Sequence, residues 1–278
     1  MMKKNYLFEV DITYDCNLTC RWCNRLCGTK FQQPPDYMSL EAFKKYVDII
    51  EPLITKTSGL RIMGGEPTLH PQLFEMLEIL AARIRPKMSW GINICSNGVG
   101  DQVNEVLNKI RAKYTSHTIY SDLEMNLSVR FPTEEQFLII ESKKKAMDAY
   151  VKKRHANIYQ AVQDVYPDLK DYSEDCFVLK NCGYGITPKG IFICSTIPYI
   201  ATIMKLPGGL DHFPSEEEEK EQKRMYCKYC AMASTRKEFA FKSRKIPQEL
   251  ISPTYERALK AWDDEPYFLP VIDPKAVE

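Results

Sequence analysis

The sequence CNLTCRWC occupies residues 16–23 and contains three cysteines in the spacing C-x3-C-x2-C, with a tryptophan before the third. Thiolates are soft ligands that suit iron–sulfur clusters, copper(I) and zinc. A [4Fe–4S] cube usually takes four cysteines, so a loop that offers only Cys16, Cys20 and Cys23 leaves one iron open to a small molecule. Residues 6–13 alternate and are rich in β-formers, which predicts a strand that ends at this loop. The carboxyl-terminal end of a first strand is where α/β barrels place their chemistry.

The loop resembles the defining motif of the radical S-adenosylmethionine (radical SAM) superfamily. The resemblance implies that Cys16, Cys20 and Cys23 hold a [4Fe–4S] cluster, that SAM binds the open iron, and that Trp22 lies near the adenine. A zinc site is the alternative, because zinc is usually held by two cysteine pairs, and the C-x2-C pair at residues 227–230 could supply the second one.

The second motif is GGEPT, at residues 64–68, after a predicted strand over 58–63. Two glycines let the backbone approach a ligand closely, and a neighbouring carboxylate can accept hydrogen bonds from an ammonium group. A plain Gly-Gly turn is the alternative. In radical SAM proteins this block binds the amino group of SAM, and the resemblance gives that role to Gly64, Gly65 and Glu66.

Two further strands carry weaker candidates for contacts with SAM. A predicted strand over 90–98 ends in Ser-Asn-Gly, which in the family lies beside SAM, so Ser96 and Asn97 are candidates, although Asn-Gly is also a turn signal. Family members often place a serine and an arginine against the SAM carboxylate or ribose on a later strand, and Ser128 and Arg130 occupy such a place here.

Composition limits the class of protein. The chain has 278 residues, ten cysteines and a formal net charge of +1, so nothing in the overall charge indicates binding to nucleic acid or to an anionic membrane. No run of about 18 apolar residues and no signal-peptide pattern is present, so we expect a cytoplasmic protein. In that compartment cysteines are rarely paired, and metal-binding or catalytic roles gain weight.

Strand, loop and helix alternate through the first part of the chain. Amphipathic helices are predicted over 39–50, with Ser39 as its cap, over 70–84 and over 100–114, and helix in two pieces is predicted over 133–166. This alternation predicts an α/β fold with parallel strands. The predicted first domain, residues 1–166, is long enough for a partial (β/α)6 TIM-like barrel but not for a closed eight-fold one.

The predicted second domain, residues 167–278, begins where the composition changes, and it contains five cysteines and a predicted hairpin over 183–194. It ends in a predicted C-terminal helix that we expect to pack back on the protein. It resembles the SPASM/twitch extension of radical SAM proteins, a small α+β domain with auxiliary [4Fe–4S] clusters. Five cysteines fit the twitch form with one auxiliary cluster. The predicted ligands are Cys176, Cys194, Cys227 and Cys230. Cys182 could replace Cys176 as a ligand or act as a hydrogen-atom donor.

The resemblance implies a radical SAM enzyme that cleaves SAM reductively to a 5′-deoxyadenosyl radical and takes a hydrogen atom from its substrate. An external one-electron reductant of the flavodoxin or ferredoxin type would be its partner. The first predicted strand starts within ten residues of Met1, where peptide-modifying relatives often carry a recognition domain. We therefore expect a small polar substrate, such as a sugar, cyclitol or nucleotide, and oxidation or epimerisation as the outcome. A peptide-modifying maturase and a structural zinc-binding adaptor are the alternatives.

Overall fold

The computed structural model describes residues 6–18, 23–27, 29, 31, 37–89, 91–114, 118–120, 138–142, 159–165, 167, 176, 179, 183–230 and 251–264. Within these residues, seven strands form one sheet: β1 (Leu7–Thr13), β2 (Gly59–Gly64), β3 (Ile92–Ser96), β4 (Thr118–Tyr120), β5 (Leu138–Ser142), β6 (Tyr184–Thr187) and β7 (Gly190–Phe192).

The strand order is β4-β5-β3-β2-β1-β6-β7. Every neighbouring pair is parallel except the β6–β7 hairpin, which is antiparallel. The first three strands are neighbours, as expected from strand–helix–strand units with helical crossovers. The predicted α/β class is therefore confirmed, and the mainly parallel sheet fits a partial TIM-like barrel.

Three amphipathic helices connect the first strands. They are α1 (Leu40–Ile50), α2 (Leu73–Arg83) and α3 (Asp101–Tyr114), as the hydrophobic spacing predicted. The hydroxyl of Ser39 accepts a hydrogen bond of 3.1 Å from the Ala42 N–H at the start of α1, so the predicted helix cap is present.

One predicted helix is wrong. Residues 138–142 form β5, which lies between β3 and β4 and pairs in parallel with both. The prediction of helix in two pieces over 133–166 therefore fails in its first part, where Leu138, Ile139 and Ile140 also suit a strand. Pairing with β3 gives these residues backbone hydrogen bonds that a local sequence pattern does not reveal. Within the predicted helix, the structure also contains a short helix, α4 (Val162–Val165).

The C-terminal region begins with the predicted hairpin, and its first strand, β6, pairs in parallel with β1. The hairpin therefore extends the main sheet. Among the described residues after the hairpin, three helices are present: α5 (Ile197–Ile203), α6 (Glu216–Tyr226) and α7 (Pro253–Asp264). The predicted packing of the C-terminal helix against the protein is confirmed, because the indole N–H of Trp262 donates a 3.1 Å hydrogen bond to the carbonyl of Ile203. The predicted domain boundary at residue 166 lies outside the described residues and stays a prediction.

Candidate functional site

Three predicted motifs meet at one edge of the sheet. β1 ends at Thr13, β2 at Gly64 and β3 at Ser96, and these three strands are parallel neighbours. The carboxyl ends of parallel neighbours lie on the same edge, so the cysteine loop, the Gly-Gly-Glu block and the Ser-Asn-Gly turn are brought together there.

The Gly-Gly block packs against the chain that leads into the cysteine loop. A Cβ atom at Gly64, whose φ is +136°, would lie 2.0 Å from the Thr13 carbonyl oxygen, and a Cβ at Gly65 would lie 2.1 Å from the Asp15 carbonyl oxygen. The Gly65 N–H donates to the Thr13 carbonyl at 2.7 Å, and the Glu66 N–H donates to the Asp15 carbonyl at 2.8 Å. The glycines are thus required by backbone contact with the cysteine loop.

The Glu66 carboxylate is fully buried and receives four hydrogen bonds. Its Oε1 accepts from the Thr68 N–H at 3.1 Å, the Thr68 hydroxyl at 2.7 Å and the Ser96 hydroxyl at 2.9 Å. Its Oε2 accepts from the Asn97 N–H at 2.7 Å. Burial raises the pKa of this carboxyl group, and the hydrogen bonds from Thr68, Asn97 and Ser96 oppose that rise. The side chain therefore joins β2 to the end of β3, while its predicted contact with SAM stays a prediction.

Asn97 connects the Ser-Asn-Gly turn to the cysteine loop. Its amide nitrogen donates to the Asn17 side-chain oxygen at 2.7 Å and to the Cys16 sulfur at 3.8 Å. Its oxygen accepts from the Val99 N–H at 2.8 Å, and the Asn17 amide returns a 2.6 Å bond to the Val99 carbonyl. Asn97 therefore orients the first cysteine of the motif.

The other end of the motif is arranged to stabilise a thiolate. The Cys27 thiol donates a hydrogen bond to Cys23, and the backbone N–H groups of Arg25 and Cys27 also donate to it. Together with the Arg25 charge, and against the effect of burial, these bonds lower the pKa of Cys23 to about 6. A thiolate that accepts hydrogen bonds of this kind fits an iron–sulfur ligand. From the sequence alone Cys27 is either a spare ligand or an ordinary cysteine, because its contact with Cys23 depends on how the loop turns.

Arg25 ties this end of the loop to β1. Its Nε donates to Asp11 Oδ2 at 3.1 Å, and its Nη2 donates to Asp11 Oδ1 and to Glu9 Oε2, each at 3.1 Å. Arg61 on β2 donates to the other Glu9 oxygen at 2.7 Å. Arg25, Glu9 and Asp11 are buried. Sequence reasoning missed this group, since no motif marks it.

Beside Arg25, β1, the cysteine loop and α5 leave a crevice that is too narrow for a water molecule. It is lined by Asp11, Tyr14, Asn24, Arg25, Pro198, Tyr199 and Thr202. Burial raises the pKa of Asp11 to about 6, against the opposing effect of Arg25, so Asp11 is mainly ionised at neutral pH.

The second cysteine set lies in the C-terminal region. Cys176, Cys194, Cys227 and Cys230 are all buried. Burial raises the pKa of Cys194 well above its ordinary value, and the nearby charges of Cys230 and Cys176 raise it further, whereas Thr196 opposes the rise. Buried thiols of this kind would have to lose their protons to bind a metal.

Cys227 and Cys230 lie on a 3-10 turn directly after α6, where the Cys230 N–H donates to the Cys227 carbonyl at 3.1 Å. In the part of the chain that the structure describes, no three Cys, His, Asp or Glu side chains are close enough to one another to hold a metal ion. Both predicted ligand sets therefore stay predictions.

The remaining candidates lie outside the described residues. They are Cys20, Trp22, Ser128, Arg130 and Cys182. Among the residues that are described, no helix is long and apolar enough to cross a membrane.

Comparisons with known proteins give a match in the N-terminal part. Residues 10–124 match the model of the Radical SAM superfamily. A GTP 3',8-cyclase of Streptomyces coelicolor (strain ATCC BAA-471 / A3(2) / M145) is 33% identical over 93 residues, which cover 33% of this chain and 26% of the cyclase. The match thus spans about a quarter of the length of that relative.

Two solved structures are similar over most of the chain. One is BtrN in complex with AdoMet and 2-DOIA, with 16% identity, a TM-score of 0.43 and coverage of 89% of this chain and 92% of that one. The other is selenomethionine BtrN in an open conformation, with 16% identity, a TM-score of 0.39 and coverage of 86% and 87%. The match to the family model includes the cysteine motif, the Gly-Gly-Glu block and the Ser-Asn-Gly turn. Residues 10–124 are therefore similar to the Radical SAM superfamily, and this match covers less than half of the chain.

Proposed function

We propose that this chain is a radical SAM enzyme that cleaves SAM reductively at the cysteine loop and removes a hydrogen atom from a small polar substrate. The observation that carries the proposal is the hydrogen-bonded path from Glu66 through Asn97 to Cys16, which joins three motifs of the family at one sheet edge. A Radical SAM superfamily domain implies an enzyme that uses SAM and a [4Fe–4S] cluster.

Each described residue of the site has a part in this activity. When bound, the reduced cluster and SAM supply a 5′-deoxyadenosyl radical, which takes a hydrogen atom from an unactivated C–H bond. Cys16 and Cys23, with Cys20, would hold the cluster. Asn97 orients Cys16, and the donors around Cys23 favour its thiolate form. Gly64 and Gly65 keep the neighbouring backbone close to the loop. The SAM amino group would contact this backbone.

The substrate class is supported by the matched relative, a GTP 3',8-cyclase, whose name gives a nucleotide as its substrate. We infer a small polar substrate, such as a sugar, cyclitol or nucleotide, and its oxidation or epimerisation as the outcome.

The second cysteine set would hold one auxiliary [4Fe–4S] cluster. The burial of Cys176, Cys194, Cys227 and Cys230 supports this assignment, as does the position of Cys227 and Cys230 at the turn after α6. An auxiliary cluster can accept an electron from the substrate radical, which gives a two-electron oxidation. Cys182 remains the candidate hydrogen-atom donor for an epimerisation. A flavodoxin- or ferredoxin-type reductant would deliver the first electron.

The test of SAM cleavage uses anaerobic chain reconstituted with iron and sulfide. Dithionite and SAM are added, and 5′-deoxyadenosine is quantified for the unmodified chain, for the triple variant C16A/C20A/C23A and for C95A, which changes a buried cysteine on β3. We expect product from the unmodified chain and from C95A and none from the triple variant. A colourless chain that binds zinc and makes no 5′-deoxyadenosine would instead indicate a structural zinc protein.

The substrate class is tested in the same assay. Separate pools of sugars, cyclitols, nucleotides and peptides are added, and each pool is scored by how much it increases 5′-deoxyadenosine formation. An increase with one of the first three pools supports a small polar substrate, and an increase with peptides alone contradicts it.

A further inference from the structure

Arg25 belongs to none of the family motifs described above, yet its side chain makes several buried polar contacts. Its guanidinium meets both oxygens of Asp11 and one oxygen of Glu9, and its Nη2 also lies 3.2 Å from the Met63 sulfur. The side-chain exposures are 6% for Arg25, 6% for Glu9 and 3% for Asp11. Charged groups are buried to this extent only when they are paired and hydrogen-bonded.

This contact joins strand β1 to the segment that follows the cysteine loop. Glu9 and Asp11 are two residues apart on β1, so their side chains project from the same face of the strand. Arg25 is two residues beyond Cys23, on the outgoing side of the cysteine loop. The two-pronged contact with Asp11 fixes that side of the loop against the strand from which the loop begins.

The same contact places a positive charge beside a cluster ligand. Arg25 lies within the turn in which the Leu26 N–H donates to the Cys23 carbonyl at 3.1 Å, so its side chain starts close to a predicted cluster ligand. Asp11 and Glu9 partly neutralise that charge, and Arg61 balances Glu9 from the other side. The charge near the cluster is therefore set by several residues that do not bind it, and the potentials of iron–sulfur clusters depend on such charges and hydrogen bonds.

We propose that Arg25 is a positioning residue that fixes the cysteine loop to β1, and that the balance between Arg25 and Asp11 sets the reduction potential of the cluster at the loop. This inference rests on the proposed function, since it assumes a cluster at that loop. The added positive charge favours the reduced and more negative cluster, so losing Arg25 makes reduction harder. Losing the Asp11 charge leaves Arg25 less neutralised and makes reduction easier.

The experiment compares R25Q, R25K and D11N with the unmodified chain after anaerobic reconstitution. Bound iron is measured first, and the midpoint potential of the cluster is then determined by redox titration followed by electron paramagnetic resonance. We expect R25Q to bind iron about 10–100-fold more weakly and to shift the potential downward, and D11N to shift it upward. R25K keeps the positive charge but cannot make the two parallel hydrogen bonds to Asp11. Its cluster potential should therefore lie between those of R25Q and the unmodified chain, and closer to the unmodified chain.

The matched control is R83Q, which removes an arginine that pairs with Asp48 and Glu51 on the surface. It should leave the potential unchanged. If R25Q does not fold because Asp11 is left unpaired, D11N and R25K still test the potential, because D11N should shift it upward and R25K should leave it near that of the unmodified chain.

Two results would overturn the inference. One is a potential that is the same in every variant, and the other is a shift in the same direction for R25Q and D11N, which a purely structural role would produce. Failure of the proposed function is distinct, because the unmodified chain would then make no 5′-deoxyadenosine whatever the variants do.

Discussion

The Glu66 carboxylate shows why a motif residue can matter without touching a ligand. Its four hydrogen bonds come from Thr68, Ser96 and Asn97, so it determines where the Ser-Asn-Gly turn stands relative to the cysteine loop. The sequence marks Glu66 as a functional residue through the Gly-Gly-Glu motif. Its bond to Asn97 joins residues 31 positions apart and could not be inferred from either motif alone.

Glu66→Gln should lower the free energy of unfolding by about 1–3 kcal/mol, because the new NH2 group faces donors and leaves buried groups unsatisfied. Affinity for SAM should fall as well, because Asn97 and Cys16 lose their common support. Urea unfolding and calorimetric titration with SAM measure the two effects. Glu75→Gln, on the exposed face of α2, is the control. Unchanged SAM affinity in Glu66→Gln would contradict the role assigned to this carboxylate.

Asp11 gives a pH dependence with a defined direction. Burial raises its pKa in the folded chain from 3.8 to about 6, so the folded state binds a proton more tightly than the unfolded state does. The stabilisation from this proton is complete below about pH 4 and is lost as the pH rises through 6, by up to about 3 kcal/mol. Urea unfolding of the unmodified chain and Asp11→Asn between pH 4 and 7 should show this loss in the unmodified chain alone. If the free energy of unfolding depends on pH in the same way in both proteins, the role assigned to Asp11 is wrong.

The strands and helices near the site could largely be predicted from sequence. The predicted strands over 6–13, 58–63 and 90–98 correspond to β1, β2 and β3, and each ends at a motif. The prediction failed at β5, where apolar residues suit either element and the edge of β3 decides between them. It also gave no sign that β6 pairs with β1, because partners across a sheet leave no local pattern.

Helix α6 carries a test of the second cysteine set. Its capping box joins Ser215 and Glu218, and the helix leads directly to Cys227. Ser215→Ala and Ser39→Ala each remove a helix cap and should each cost about 1 kcal/mol of stability. We expect Ser215→Ala alone to lower the iron bound by the C-terminal cysteines, measured in a chain that also carries C16A/C20A/C23A. Equal iron content in the two cap variants would count against this role of α6.

The molecule as a whole is joined by its C-terminal helix. Trp262 on α7 donates to the Ile203 carbonyl on α5 and lies edge-on to Phe31, with ring centres 5.1 Å apart. Phe31 follows the cysteine loop, so α7 connects the C-terminal region with the segment after the N-terminal site. Composition and periodicity predicted that this helix packs back on the protein. The identity of its contacts could not be predicted, because they join residues that are far apart in the chain.

Trp262→Ala should lower the free energy of unfolding by about 3–5 kcal/mol, since it removes a large buried side chain and its hydrogen bond. Lys260→Ala, on an exposed position of the same helix, should change it by less than about 0.5 kcal/mol. Urea unfolding of the full chain compares the two variants. Equal stabilities would show that α7 does not support the fold.

The central claim is that the three-cysteine loop holds a cluster with one iron open to SAM. The most direct measurement is the electron paramagnetic resonance spectrum of the reduced cluster, recorded with and without SAM in a chain whose Cys176, Cys194, Cys227 and Cys230 are replaced by alanine. We predict a [4Fe–4S]+ signal that changes when SAM is added and that disappears when C16A/C20A/C23A is introduced. A signal that does not change when SAM is added, or that remains when Cys16, Cys20 and Cys23 are replaced, would contradict the account.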